Sequence, residues 1–187
     1  GMSKAVAEKL VMARARTHDK PIFCAVRYGN VMATRGSVIP LFIDQIRAGK
    51  DITVTNPSMT RFMLSIDDSI DLVLLAISKG QQGDLFVKKS PASTIGDIAR
   101  ATLEIFESKN SMKQIGVRAG EKLHETLLTA LELARAEDLG DFYRIRNVAE
   151  YDYRQFYEKG AVESLPQDFT SENTQRLRPE ETKKLIA

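Results

Sequence analysis

The chain has 187 residues, 43% hydrophobic and 28% charged, the proportions of an ordinary globular domain able to bury a core. Its 27 basic and 25 acidic side chains are interspersed and leave a net charge of +2, so neither nucleic acid nor an anionic membrane surface is called for. No apolar run approaches the ~20 residues of a membrane span and no signal peptide is visible, which makes a cytoplasmic protein the expectation.

Residues 3–17 are expected to form a helix, with Val6, Leu10, Met12 and Ala13 on one side and Glu8, Lys9, Arg14 and Arg16 on the other. A chain that opens inside a core helix is expected to be a fragment of a larger fold. Residues 22–26 are continuously apolar, the mark of a parallel strand covered on both faces, and Cys24 within them reads as a small buried hydrophobe. No earlier strand is available to pair with this run, so an exposed edge is expected.

The stretch 27–40 follows, at the carboxyl end of that strand, where open α/β sheets bind ligands. It holds Arg27, Gly29, Asn30, Arg35 and Gly36, then Ser37 as N-cap of a helix carrying Leu41, Phe42, Ile43 and Ile46 and stopped by Gly49. A helix start offers free N–H groups to an anion, and Arg35 beside it would add a charge-assisted contact to phosphate. The same residues also fit an ordinary connection carrying solvated arginines.

Short strands are expected over 52–55 and 60–65. Ser65 with Asp68 forms a capping signature, and Ile66, Ile70, Val73, Leu74 and Ile77 make a buried helical stripe. A strand over 84–87 precedes a second capping pair, Thr94 with Asp97, and a helix burying Ile95, Ile98, Thr102, Ile105 and Phe106. A third short strand spans 113–117. The spacing of Leu123, Leu127, Leu128 and Leu131 predicts a helix carrying His124 and Glu125. From residue 141, Phe142, Tyr143, Tyr151, Tyr153, Phe156 and Tyr157 crowd together without clean periodicity, as in a docking or subunit-contact arm, and a short helix closes the chain over 179–186.

The chemistry points to binding. Arg35, Arg61 and Arg118, with Asn30 and Glu121, would make a diphosphate-and-ribose site, the arginines on phosphate oxygens and the carboxylate accepting from ribose hydroxyls. Cys24, the one cysteine, cannot make an internal disulfide, and His18 and His124 are too far apart to suggest a metal site. No serine–histidine–acid arrangement, P-loop or complete glycine-rich dinucleotide loop is present.

Ser3-Lys4, the run from Arg27 to Val31, the run from Ser37 to Pro40, the run from Met59 to Phe62, Pro91 to Thr94 and Gly120 to Glu125 occur in one order and spacing. Together they resemble the C-terminal half of extended short-chain dehydrogenase/reductases that act as UDP-N-acetylglucosamine 4,6-dehydratases in capsule and other surface polysaccharide pathways. The capsular branch, whose members also invert C5, is the most similar, and its C-terminal arm resembles residues 169–177. The resemblance implies an α/β fold: the end of a Rossmann-type domain over 1–35, a small α+β sugar-nucleotide domain over 36–140 and an arm over 141–187. It implies that Lys4 ends a Tyr/Met-x-x-x-Lys motif holding the nicotinamide ribose, a catalytic position. Tyr28 and Gly29 then lie against the cofactor, and Asn30 near the UDP-sugar. Val38, Ile39 and Pro40 line the uracil and sugar pocket, Arg35, Arg61 and Arg118 meet the diphosphate, and Glu121 meets the ribose.

NAD or NADP serves the full-length family, but the glycine-rich loop and the catalytic Asp-Lys pair fall upstream of Gly1. The chain alone is therefore expected to be inactive and not to hold the dinucleotide. Two other readings stand: a non-catalytic UDP-sugar-binding module completed by another chain, and a 4-epimerase relative. A homo-oligomer is expected, through the edge at 22–26 or the C-terminal arm.

Overall fold

The computed structural model describes residues 2–147 and 165–187. In chain order the elements begin α1 (Met2–Thr17), β1 (Ala25–Arg27), α2 (Val38–Arg47), β2 (Ile52–Val54), β3 (Thr60–Phe62), α3 (Ile66–Lys79), β4 (Leu85–Lys88) and β5 (Ala92–Thr94). They continue with α4 (Ile95–Ile105), β6 (Met112–Gln114), β7 (Thr126–Leu128), α5 (Ala130–Leu133), β8 (Ala136–Asp138), β9 (Phe142–Ile145), β10 (Phe169–Thr170) and α6 (Pro179–Ile186).

The chain gathers into two compact units. One is built from Gly1–Tyr28, Asp67–Lys89 and Leu127–Phe169, the other from Gly29–Ile66, Ser90–Thr126 and Thr170–Ala187. The segments 1–35, 36–140 and 141–187 that the resemblance implies run along the chain, whereas each unit draws on stretches far apart in sequence.

The first unit carries a four-stranded sheet of order β1-β4-β9-β8. β1 and β4 are parallel, Ala25 opposite Leu85, and β9 runs antiparallel to both β4 and β8. Among the described residues β1 is an edge strand, and its residues are half-buried rather than covered on both faces. Cys24 is likewise half-buried, its thiol pushed up by burial and by the Asp84 carboxylate. The β8–β9 hairpin is absent from the sequence expectation; its signal lay in Gly140 at φ +80° between Asp138 and the β-prone run Phe142, Tyr143, Arg144 and Ile145.

α3 corrects the stripe expected for it. Leu72 and Ala76 are the buried residues, set against Phe86 of β4, while Ile66, Ile70, Val73, Leu74 and Ile77 are 40–74% exposed. The sheet takes the narrow Leu72–Ala76 ridge and leaves the wider apolar side open. α1 departs in the same way, burying Ala15 while Val6 and Leu10 stay exposed. The helix expected over 123–131 is also absent. Thr129 accepts a hydrogen bond from the Glu132 N–H at 3.3 Å, so helix α5 starts only at Ala130, and Leu127 and Leu128 lie buried in strand β7.

Two ion-pair clusters hold this unit together. The buried Asp84 carboxylate accepts from Arg144 Nε at 2.9 Å and Nη2 at 2.6 Å, and from the Gln81 N–H at 2.8 Å. Arg27 commits all five N–H donors: to both Glu8 oxygens, to both Glu132 oxygens, and to the Leu127 carbonyl at 2.6 Å. It thereby ties β1 to α1 and α5, and it is not free for a phosphate.

The second unit pairs β2 with β6 in parallel and β3 with β5 in antiparallel register, Arg61 opposite Ser93. Its core is Phe42 and Ile39 from α2, Ile52 and Val54 from β2, Met59 and Met63 flanking β3, and Ile95, Ile98 and Ala99 from α4. Thr94 caps α4 as expected, accepting from the Asp97 N–H at 2.9 Å, although Phe106 ends 39% exposed just beyond the helix. α6 forms over the expected residues, and Leu177 and Ile186 pack on the core. Of the aromatic arm, Phe142 and Tyr143 belong to β9, whereas Tyr151, Tyr153, Phe156 and Tyr157 lie outside the described residues.

Burial pushes the Glu132 carboxyl up, but hydrogen bonds from Arg27 and Thr129 outweigh it and hold the pKa at about 2, below the ordinary 4.5. A folded-state pKa below the unfolded one contributes stability above pH 4.5 that is lost as pH falls toward 2. Urea denaturation from pH 6 to 2.5 should show this loss, and Glu132→Gln should flatten it while costing about 1–2 kcal/mol at pH 7 after solvent screening. Asp84→Asn, which leaves a buried guanidinium without its carboxylate, is expected to cost about 3–5 kcal/mol in the same assay.

Candidate functional site

The second unit contains a cavity of about 560 Å³ at the amino end of α2. That volume lies within the roughly 300–1,000 Å³ typical of small-molecule sites. Its floor is apolar, formed by Val54, Met63, Ile95 and Ile98, and its polar rim carries Asn30, Ser37, Thr55, Arg61, Arg118 and Glu121.

The loop leading to α2 is shaped by local constraints. Val31 bridges to Leu64, with the Met32 N–H donating to the Leu64 carbonyl at 2.9 Å. Gly29 lies so close to Phe62 that an added Cβ would sit 2.4 Å from the Phe62 Cβ, which only glycine permits. Gly36 takes φ +80°, turning the chain into the helix. Ser37 occupies the N-cap position as expected but makes no capping bond; its hydroxyl is buried and unpartnered on the cavity wall. Val38, Ile39 and Pro40 are the first turn of α2, so the N–H groups of Val38 and Ile39 are left over at the helix start, where the dipole favours an anion. An unpaired buried hydroxyl beside free helix N–H groups is an arrangement awaiting a polar ligand.

The three arginines differ sharply. Arg118 lies on the cavity rim, and its guanidinium has no hydrogen-bond or ion-pair partner among the described residues. Arg61 also reaches the cavity, but its guanidinium donates to the carbonyls of Thr60 at 2.7 Å, Lys122 at 3.0 Å and Leu123 at 3.1 Å. Its Nη2 lies 3.9 Å from Glu121 and its Nε 3.8 Å from Glu125. Arg61 is thus a clamp on the loop 121–125 as well as a rim charge. Arg35 is exposed and outside the cavity lining.

Glu121 accepts from the Thr55 hydroxyl and the Arg118 backbone N–H, each at 3.3 Å, which fixes its carboxylate and leaves acceptor capacity for ligand hydroxyls. Sequence reasoning passed over Thr55, Asp44 and Ile115 of the lining. Thr55 was recoverable only as the hydroxyl following β2, which by itself signals nothing. Its titratable lining residues are Asp44, Arg61, Arg118 and Glu121.

Lys4 and Tyr28 are exposed in the first unit and line neither this cavity nor the shallow groove beside α3. Gly29 lines neither of them. Among the described residues no cluster of histidine, cysteine or acidic side chains could hold a metal ion, and no helix is long and apolar enough to cross a membrane.

The family described as "Polysaccharide biosynthesis protein" matches residues 1–147, and its separate C-terminal family matches residues 150–187. The chain belongs to the polysaccharide biosynthesis protein family. A protein named UDP-glucose 4-epimerase in Rickettsia bellii is 54% identical over the whole of this chain and 56% of its own length. One of the same name in Rickettsia canadensis is 52% identical over the same spans. The chain therefore spans about half the length of the curated relatives it matches. The crystal structure of Pen from Bacillus thuringiensis superposes over the full chain with a TM-score of 0.83 at 31% identity, covering 56% of that protein. A UDP-glucose 4-epimerase from Thermotoga maritima, solved with UDP-glucose, gives 0.56 at 20% identity over 64% of this chain and 41% of its own. The fold is the Rossmann-type one shared with solved nucleotide-sugar epimerases and dehydratases.

The contact at Gly29 yields a direct test. Gly29→Ala must displace Phe62, a fully buried side chain, and is expected to lower stability by about 1–3 kcal/mol in thermal unfolding, the usual cost of overpacking.

Proposed function

We propose that this chain supplies the UDP-sugar-binding wall of a nucleotide-sugar 4,6-dehydratase acting on UDP-N-acetylglucosamine in surface polysaccharide synthesis. The observation that carries the reading is the cavity rim, where an unpartnered buried hydroxyl and helix N–H groups share a pocket with an uncommitted guanidinium and a held carboxylate. These are complementary to a diphosphate next to a ribose. In this assignment Ser37, Val38 and Ile39 meet phosphate or uracil, Arg118 the diphosphate and Glu121 the ribose. Asn30 faces the sugar, Pro40 shapes the wall, and Arg61 supplies field while holding the loop. Arg35 would join only if its exposed side chain turned inward. Lys4, Tyr28 and Gly29 would serve a dinucleotide only in a longer protein. By itself the chain would bind without turning over.

A second reading, a UDP-sugar 4-epimerase, is favoured by the names of the relatives that are 54% and 52% identical. The two share a diphosphate site and differ in the sugar. Calorimetry with UDP, UDP-N-acetylglucosamine and UDP-glucose therefore tests both. Binding of UDP and preference for the N-acetyl sugar are expected, with Arg118→Ala weakening UDP about tenfold through the lost phosphate contact. A preference for UDP-glucose would favour the epimerase. No binding at millimolar UDP by the folded chain would remove the nucleotide site altogether.

The open edge of β1, or the arm over 141–187, is further proposed to mediate self-association. Light scattering on the eluted protein should give a mass above the 20.9 kDa of one chain, and a monomer at high concentration would overturn this.

A further inference from the structure

Ser171 belongs to the C-terminal segment that a separate family matches, and it is fully buried beneath the cavity rim. Its N–H donates to the Glu125 carbonyl at 2.8 Å, while its hydroxyl accepts from the Glu125 N–H at 2.9 Å. The same hydroxyl lies 3.1 Å from the Thr60 carbonyl and 2.7 Å from the Thr60 hydroxyl, and Thr60 in turn lies 2.8 Å from His124 Nδ1. One serine thus holds both ends of a short path, β3 on one side and the loop 121–125 on the other. We infer that Ser171 is a positioning residue for the cavity, setting Arg61 and Glu121 at the rim through Thr60 and the loop 121–125. The inference rests on the reading of that cavity as a nucleotide-sugar site.

The proton count supports the connection. Ser171 has one O–H and two lone pairs. With its proton on the Thr60 carbonyl, it accepts from the Glu125 N–H and the Thr60 hydroxyl. Thr60 then accepts from His124, which assigns the proton to Nδ1 from the network. His124 Nε2 is left facing Glu172 at 3.7 Å. Every position is used, so deletion of the serine hydroxyl orphans a buried N–H and frees Thr60 to turn. The carbonyls of Lys122 and Leu123, which hold the Arg61 guanidinium, sit in the loop that would be released.

The segment has other anchors, which separate positioning from folding. Ala92 exchanges backbone bonds with Gln175 at 2.8 Å and Leu177 at 2.9 Å, the Thr174 hydroxyl donates to the Ser90 carbonyl at 2.9 Å, and Ser93 meets Thr182 at 3.0 Å. Loss of one hydroxyl should leave the segment seated.

The test compares Ser171→Ala, Thr60→Val and Thr60→Ser with wild type by UDP calorimetry, thermal unfolding, and the nuclear magnetic resonance signals of Arg61 Nε and the His124 ring. Ser171→Ala and Thr60→Val are expected to weaken UDP about fivefold, the equivalent of about one hydrogen bond, and to move the Arg61 and His124 signals. Thr60→Ser, which keeps the hydroxyl, should bind like wild type. Unchanged UDP affinity in a folded Ser171→Ala overturns the inference. So does weakened affinity with the Arg61 signal unmoved. If wild type itself fails to bind UDP, the nucleotide reading falls, and the Arg61 signal alone then decides the positioning role.

Discussion

The guanidinium of Arg61 is where the second unit's structure and its chemistry meet. Three backbone carbonyls accept its donors, two of them from a loop about sixty residues downstream. That loop has no regular secondary structure and is held by this grip, by the Ser171 clasp and by the Thr60 N–H, which donates to the Leu123 carbonyl at 3.0 Å. Glu121, whose carboxylate faces the cavity, is placed by the same loop. A single side chain thus organises the polar rim, and Arg118 beside it has no hydrogen-bond or ion-pair partner for its guanidinium among the described residues.

The arginines of the chain sort by what surrounds them. Arg27 is saturated by carboxylates and a carbonyl, Arg144 is paired with Asp84, and both act as cross-links in the first unit. Arg61 is held mainly by carbonyls, with the Glu121 and Glu125 carboxylates 3.9 and 3.8 Å away. Arg118 and Arg35 remain exposed. Guanidinium geometry makes each outcome possible, since five fixed donors suit carboxylate pairs and carbonyl clusters equally.

Much of the fold was legible because local signals were strong. The Thr94–Asp97 cap and the 3.6-residue spacing of Ile95, Ile98 and Thr102 specify α4 without help from the rest of the chain. Pro179 at the start of α6 is a comparable local signal. Where local signals were ambiguous, the sequence reading failed in an informative way. The leucines at 123, 127, 128 and 131 fit a helical template, but the better cap at Thr129 and the burial of Leu127 and Leu128 favoured a strand. On α3 the most apolar side is the exposed one, because the sheet accepts only the ridge of Leu72 and Ala76.

The sequence by itself located the candidate polar groups of the cavity and the turns on which they lie, because glycine placement and charge are local properties. It also carried the ordered motifs that mark the family. Only the tertiary structure decided which of those groups are available. Whether Arg27, Arg35, Arg61 or Arg118 is free depends on carboxylates and carbonyls from distant stretches, and Ser171, an ordinary serine in a polar tail, gains its place only when the chain folds back beneath β3. Hydrogen-bond donors are shared through space, and sequence distance says nothing about who the acceptors will be.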